Sequence, residues 1–274
     1  MKIKTEAQEL AQIRLAERGV IKKQGKVHSA GELIRMALDA HDDRVCVSWS
    51  GGRCSTTVLH IVRKYSPNVR VMFTDTGVEY PETVKFVREQ AKELELNLTI
   101  TKPERTFWEI VEKYGFPKPR KPMSPDGRDS SIRTPKCCYW LKERPMQHFA
   151  KESGTEAFIT GMRAGEARIR ALSTWRSGQF YFHKRFKVWK YNPIILWPTR
   201  DVIAYTQEHG VPVNPLYQKL DRSGCWPCTA FISWQKQLAQ TNFKLYKFLM
   251  ERMGEQRLLD HYFRSQIAPC SDRG

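Results

Sequence analysis

No stretch of this 274-residue chain approaches the roughly 18 consecutive apolar residues that a membrane-spanning helix requires. The opening segment, MKIKTEAQELAQIRLAERG, carries no apolar core of the kind a secretory signal needs. Both absences point to a cytoplasmic protein with no membrane attachment. Internal repeats and low-complexity tracts are also missing, which excludes solenoids, propellers and fibrous architectures. The seven histidines show no HExxH spacing, so zincin chemistry has no anchor here. Neither GxxxxGK[ST] nor GxGxxG occurs, which removes the two commonest phosphate-binding glycine loops. Acidic residues are scarce as well: 29 Asp and Glu stand against 46 Lys and Arg, for a net charge of +17.

That positive charge is concentrated. Lys113 to Arg144 holds nine basic and three acidic residues, a net of +6, and Arg163 to Lys190 holds eight basic residues against Glu166, a net of +7. Focused charge of one sign favours an anionic partner, either a multiply charged nucleotide or a nucleic acid. A solvated basic face is the plainer alternative. Hydrophobic content of 41% and charged content of 27% are ordinary for a globular domain. Seven cysteines in a cytoplasmic chain are better suited to metal binding or catalysis than to disulfides.

The hydrophobic pattern alternates between short apolar runs and helical periods. Residues 1–43 form an N-terminal segment of two helical stretches broken near Lys22–Lys26. Strands are expected at Arg44–Ser48, Val69–Thr74, Leu96–Thr101, Glu156–Thr160 and Asn192–Trp197. Helices are expected at Ser55–Tyr65, at Pro81–Leu94 with proline in the first turn, and at Pro198–His209, ended by Gly210. Such alternation predicts an α/β, Rossmann-like, mostly parallel sheet with helices on both faces over residues 44–230. A helical C-terminal region, 231–274, ends in a tail that holds Cys270. Residues 115–136, rich in proline, glycine and charge, read as a long loop. Ligands of such sheets bind beyond the carboxyl ends of the strands, where Gly51, Asp75 and Gly161 fall.

Two groups of residues carry chemistry. In the first, Val45-Cys-Val-Ser-Trp-Ser-Gly-Gly-Arg-Cys-Ser-Thr-Thr57 places glycines between a strand and a helix. Backbone N–H groups there can approach an anion, with Ser50, Ser55 and Thr56 adding hydroxyls and the helix adding its positive end. In the second, Cys137 and Cys138 are adjacent, and Cys225 and Cys228 follow as Cys-Trp-Pro-Cys. Four such thiols suit either zinc or an iron–sulfur cluster, and spacing alone leaves both open; buried free thiols are the remaining alternative. Arg163, Arg168 and Arg170 are candidates to clamp phosphate or sulfate in pairs of hydrogen bonds, with Glu166 orienting them. Asp75 could bind a nucleoside or simply cap its turn. Cys46, in mid-strand, reads as packing. The aromatics of Phe180–Trp189 alternate with basic residues, which fits an amphipathic strand or base stacking.

Ser50-Gly-Gly-Arg-Cys-Ser55 resembles the SGGxDS pyrophosphate loop of the adenine nucleotide alpha-hydrolase (PP-loop) superfamily. Within that superfamily the chain is most similar to the phosphoadenosine/adenosine phosphosulfate reductase family. Thr74-Asp-Thr-Gly-Val-Glu-Tyr-Pro-Glu-Thr83, Thr160-Gly-Met-Arg-Ala-Gly-Glu-Ala-Arg168, Asn192-Pro-Ile to Asp201-Val, and Asn214-Pro-Leu-Tyr217 with Gly224-Cys-Trp-Pro-Cys-Thr229 follow that family's blocks in order. The resemblance spans about residues 30 to 230 and implies reduction of adenosine 5′-phosphosulfate or its 3′-phosphorylated form. It implies Ser48, Ser50, Gly51, Gly52, Arg53, Ser55, Thr56, Asp75, Gly161, Arg163, Arg168 and Arg170 as nucleotide-binding residues. From the cluster-bearing branch it implies a [4Fe–4S] cluster on Cys137, Cys138, Cys225 and Cys228. It further implies thioredoxin or glutaredoxin as electron donor and a cysteine nucleophile on a C-terminal tail, for which Cys270 is the candidate. The family's Glu-Cys-Gly-Leu/Ile-His pattern is missing around Cys270, so Cys54, at the helix start where a thiol pKa is lowered, is the second candidate. The loop departs from the family by carrying Arg53 and Cys54 where lysine and aspartate are usual. An aspartate there would help hold magnesium, so its absence argues against ATP pyrophosphate chemistry. A thiolation enzyme of the same superfamily, acting on tRNA, DNA or a small molecule, is the alternative function. A nucleic acid is then the alternative partner, and an assembly of identical copies is compatible with either.

Overall fold

The computed structural model describes residues 5–118, 135–221, 223–230 and 233–254. Two helices come first, α1 (Glu6–Gln24) and α2 (Ala30–His41), each started by a reciprocal capping box, Thr5 with Gln8 and Ser29 with Glu32. The chain then builds six strands: β1 (Val45–Ser48), β2 (Arg70–Thr74), β3 (Leu98–Thr101), β4 (Ala157–Thr160), β5 (Phe180–His183) and β6 (Val188–Tyr191). Their order across the sheet is β3-β2-β1-β4-β6-β5. Every pairing is parallel except the β5–β6 hairpin. The mostly parallel α/β expectation therefore holds.

Helices fill the crossovers: α3 (Arg53–Arg63), α4 (Pro81–Glu93) and α5 (Phe107–Tyr114) on the first half of the chain. Then come α6 (Lys136–Cys138), a π-helical turn at Tyr139–Glu143, and α7 (Arg144–Ser153). After β4 come α8 (Arg168–Ser177), α9 (Thr199–Glu208) and α10 (Trp234–Thr241), with residues 243–254 also helical. None of these helices is long and apolar enough to cross a membrane. The loop expected at 115–136 lies largely outside the described residues, as does the tail with Cys270.

Alternation along the central strands divides the core. Val45, Val47, Val71, Phe73, Ala157 and Ile159 pack with Leu33, Ile34, Val58 and Leu59 of α2 and α3. The intervening residues Cys46, Met72 and Phe158 point the other way, onto Phe149 and Ala150 of α7. A period of two gives both faces an apolar surface, so helices cover both. Cys46 is fully buried there, and burial pushes its thiol up to about 12. One strand expectation fails. Asn192–Trp197 is a turn region, because β6 ends at Tyr191 and Pro193 lacks the N–H that a ladder position needs. The strands that complete the sheet are instead the aromatic and basic segments on either side of Lys184–Lys187.

Between β1 and β4 the chain order reverses, β2 and β3 lying to one side and β6 and β5 to the other. The carboxyl ends of these two neighbours open the crevice where α/β sheets bind ligands.

Candidate functional site

The glycine turn sits at that crevice, at the end of β1 and the start of α3. Gly51 has φ 66°, and a Cβ there would also meet Val87 at 2.7 Å. Gly161, at the end of β4, stands so close to α3 that a Cβ would lie 2.6 Å from the Ser55 backbone. The loop's hydroxyls mostly close the turn on itself. Ser55 Oγ accepts from Ser50 N (3.1 Å) and donates to Gly52 O (3.0 Å). Thr56 Oγ1 donates to Gly52 O (3.0 Å) and accepts from the indole of buried Trp49 (3.0 Å). Ser55 and Thr56 thus shape the cradle, while Ser50 Oγ bonds Ser55 Oγ at its rim (3.0 Å). Among the described residues the N–H groups of Gly51 and Gly52 have no acceptor. Ser48 ends β1, in register with Thr160 of β4.

Three residues that the sequence reading did not single out complete this loop. Asn214 Nδ2 donates to Gly51 O (3.2 Å) and to Thr83 Oγ1 (2.9 Å). The Arg53 N–H donates to Tyr217 Oη (3.0 Å), and the Arg53 guanidinium lies over the Tyr217 ring, 4.4 Å from its centroid. Tyr217 Oη shares a further hydrogen bond with Ser223 Oγ (3.1 Å). Asn-Pro-Leu-Tyr was visible as a motif; which atoms it would touch was not.

Arg163 is only 6% exposed. Its Nε donates to Cys54 Sγ (3.1 Å), its Nη1 to Glu9 Oε1 (2.9 Å) and Trp197 O (3.1 Å), and its Nη2 to Thr199 Oγ1 (3.1 Å). Glu9 also accepts from Thr199 N (3.1 Å) and Thr199 Oγ1 (2.8 Å) at the start of α9. Burial pushes the Glu9 carboxyl up, but bonds from Thr199 and Arg163 outweigh it and hold the group below its ordinary value. No local pattern marks Glu9, whose partners lie more than 150 positions away. Arg170 pairs with Glu166, and Arg168 is exposed at the start of α8. Asp75 Oδ1 accepts from Gly77 N (3.1 Å), so it caps its turn. The thiol of Cys54 runs against the helix-terminus expectation: burial raises it, despite the Arg163 guanidinium beside it.

Cys137, Cys138, Cys225 and Cys228, far apart in sequence, line a single hollow with Phe107, Pro117, Leu141 and Lys142. The short helix α6 carries the first pair. The second pair is held by a backbone bridge from Cys225 to Glu79, a bond from Trp226 N to Val78 O (3.0 Å) and a turn from Cys228 N to Cys225 O (3.3 Å). A π-helical turn directly after the first pair, of a kind often found at functional sites, widens the helix beside the hollow. Lys142 Nζ stands 3.6 Å from Glu79 Oε1, and Cys225 Sγ is 3.7 Å from the same oxygen. The hydrogen bond and charge of Cys138, together with burial, raise Cys137, and burial pushes Cys225 up to about 12. Negative charge on Cys225 and Glu79 raises Lys142 in turn. Among the described residues no three Cys, His, Asp or Glu side chains form a ready-made metal-binding group, so the thiols surround a space without meeting at a point.

Residues 44–231 match the sequence profile of the phosphoadenosine phosphosulfate reductase domain. The chain belongs to that family. It is 34% identical over 202 residues to the adenosine 5′-phosphosulfate reductase of Streptomyces coelicolor, covering 73% of this chain and 78% of that one. It is 28% identical over 191 residues to the phosphoadenosine 5′-phosphosulfate reductase of Vibrio parahaemolyticus, covering 70% and 68%. The fold is shared with phosphoadenylyl-sulfate reductase from Candida auris, solved as a phosphate complex, with a TM-score of 0.55 and 23% identity over 75% of this chain and 92% of that one. Helix α1, with Glu9, lies outside the matched span.

Proposed function

We propose that the chain is a sulfonucleotide reductase of this family, acting on adenosine 5′-phosphosulfate or its 3′-phosphorylated form. The observation that carries the proposal is the meeting of the four thiols in one hollow, joined by the segment Asn214–Cys228 to the glycine loop. Gly51 and Gly52 N–H groups and the start of α3 would receive the nucleotide's anionic oxygens. Arg168 is the exposed guanidinium for the sulfate end, whereas Arg163 orders the loop from behind through Cys54.

The hollow suits a [4Fe–4S] cluster. Four thiols and apolar walls provide the usual ligand set, and each thiolate needs only to reach its own iron. Cys137, Cys138, Cys225 and Cys228 would hold it, with burial and neighbouring charge disfavouring the Cys137 and Cys225 thiolates while they are unligated. Bound there, the cluster would supply electrostatic and structural support and no electrons. Lys142 then balances part of the thiolate charge, held in place by Glu79.

The chemistry falls to a separate thiolate. It attacks the sulfate sulfur, an S–S bond forms, and the bond from sulfur to the phosphate oxygen breaks, with the electron pair leaving on the nucleotide. A dithiol protein, thioredoxin or glutaredoxin, then attacks the resulting enzyme thiosulfonate and releases sulfite as its own thiols become a disulfide. Cys270 is the assigned nucleophile, because burial raises the Cys54 thiol even with the Arg163 guanidinium beside it and so disfavours a thiolate there. The test is sulfite release from each nucleotide by anaerobically purified protein with thioredoxin. Activity that vanishes in Cys270→Ser supports the assignment; loss in Cys54→Ser alone moves the role to Cys54. No sulfite from either nucleotide, with pyrophosphate released from ATP when RNA is added, would replace the proposal with thiolation.

A further inference from the structure

The described end of the first basic stretch, Tyr139–Arg144, meets the second at Arg185. Arg185, in the turn of the β5–β6 hairpin, lies over the Tyr139 ring at 4.4 Å. Tyr139 meets Trp140 edge-on, with centroids 5.2 Å apart at 69°. Trp140 in turn carries Arg105 at 4.2 Å and Arg144 at 5.2 Å. Gln147 Nε2 donates to Arg185 O (3.3 Å), fixing the hairpin against the helix. The result is a ladder of guanidinium and ring contacts, Arg105–Trp140–Tyr139–Arg185, broken by the edge-on Tyr139–Trp140 step and flanked by Arg144. It lies along the helical segment that begins with Cys137 and Cys138. Glu104 pairs with Arg144 (3.0 Å) and Glu143 with Arg185 (3.7 Å). Even so, positive charge dominates, since Lys184 and Lys187 stand exposed in the same hairpin turn.

We propose that this ladder is a docking surface for single-stranded nucleic acid. An acidic protein would be satisfied by charge alone, and lysines scattered over a helix would suffice. Here guanidiniums lie within stacking reach of rings, Arg105 4.2 Å from the Trp140 centroid and Arg185 4.4 Å from that of Tyr139, while Arg185 and Arg144 stay largely open to solvent. A guanidinium plane can stack a base while its N–H groups reach the neighbouring phosphate, and unpaired strands are read through such contacts. Arg185 and Arg144 keep 55% and 41% of their side-chain surface despite stacking. This surface is separate from the glycine loop and does not depend on the sulfonucleotide reading.

The test uses fluorescence anisotropy of a labelled 20-nucleotide oligouridylate on the purified full chain, across a salt series. Single-stranded DNA, duplex and polyglutamate serve as competitors. Arg105→Ala/Arg185→Ala should weaken binding roughly tenfold or more. It should also flatten the slope of log K against log salt by about 1.4, or about 0.7 per lost phosphate contact. Arg105→Lys/Arg185→Lys should keep the slope but still lose affinity, since lysine has charge without a plane. Melting temperatures check the fold, and Lys184→Ala/Lys187→Ala, confined to exposed positions, must lower the slope even if the alanine pair unfolds. The proposal is overturned if the chain does not bind the strand, or if all variants bind alike. It is equally overturned if polyglutamate of matching charge competes as well as RNA.

Discussion

The glycine loop and the thiol hollow sit one segment apart, yet they reach order in opposite ways. In the loop, Trp49, Ser55, Thr56, Asn214 and Tyr217 engage one another and the backbone, so the turn is closed before any ligand arrives. In the hollow, half-buried thiols and a carboxylate crowd one lysine, and burial with neighbouring charge raises the Cys137 and Cys225 thiols. The first region is preorganised by its own hydrogen bonds. On the proposed reading, the second would be completed by a bound cluster. Substitutions should therefore act on the loop through packing and on the hollow through loading.

The largest effect belongs to the hollow. Cys228→Ala should reduce iron and acid-labile sulfide from about four per chain to near zero in anaerobic protein. The loaded wild type should melt about 10 °C above both the variant and the chelator-treated wild type. Equal melting temperatures for loaded and stripped protein would mean that the hollow is ordered by itself, and the contrast with the loop would vanish. Next comes Gly161→Ala. The added methyl meets α3 backbone, which cannot swing aside as a side chain could, so a loss of about 2–3 kcal/mol is expected from chemical denaturation. Iron content should survive in the folded fraction, because the clash lies at the loop.

Glu9→Gln probes how far the loop's order extends. It removes one of the two carboxylates beside buried Arg163, leaving Glu166 3.9 Å away, at a cost of about 2 kcal/mol, less than a fully dry pair because Glu9 keeps 13% of its side-chain surface. The folded protein holds the Glu9 carboxyl below its ordinary value of 4.5, so its stabilising contribution is complete above that value and is lost as pH falls through the lower folded one. Denaturation midpoints measured from pH 6 down to about 3 should fall less steeply in Glu9→Gln than in wild type. Parallel curves would show that the carboxylate contributes nothing through its charge.

Local chemistry was legible in the sequence where the relevant atoms are neighbours in the chain. The strand, glycines and helix start at Val45–Thr57 announce the cradle, and Pro81 and Gly210 mark helix ends. Short apolar runs at β1 and β4, alternating with helical periods, announce the parallel sheet. What could not be read was pairing across the chain: that Glu9 reaches Arg163, that Tyr217 reaches Arg53, that Arg185 stacks on Tyr139. These depend on which helices pack together, and a single chain carries no local signal for it. The failed strand at Asn192–Trp197 has a local cause. Its apolar run is as good as that of β6, but Pro193 removes a ladder donor, and Asn192 turns inward to bond Gln179 O (3.0 Å) and Thr160 Oγ1 (2.7 Å).

The smallest change separates geometry from charge at the loop itself. Tyr217→Phe keeps the ring under the Arg53 guanidinium and removes only the hydroxyl that accepts the Arg53 N–H and bonds Ser223. Two hydrogen bonds are lost, each worth about 1 kcal/mol net, so stability should drop by no more than about 2 kcal/mol. Binding should respond in a direction that identifies the hydroxyl's role. A phenol that merely fills the N–H until a nucleotide oxygen replaces it costs affinity, and its removal should tighten nucleotide binding severalfold. A phenol that holds the helix start in position for the anion should, when removed, weaken binding by a similar factor. The bond from Ser223 favours the second outcome. It fixes Tyr217 from the far side and ties it to the segment that enters Cys225, so a hydroxyl free to be displaced would not need that anchor. Calorimetric titration of adenosine 5′-phosphosulfate into both proteins decides the matter, and tighter binding in Tyr217→Phe would reverse the assignment.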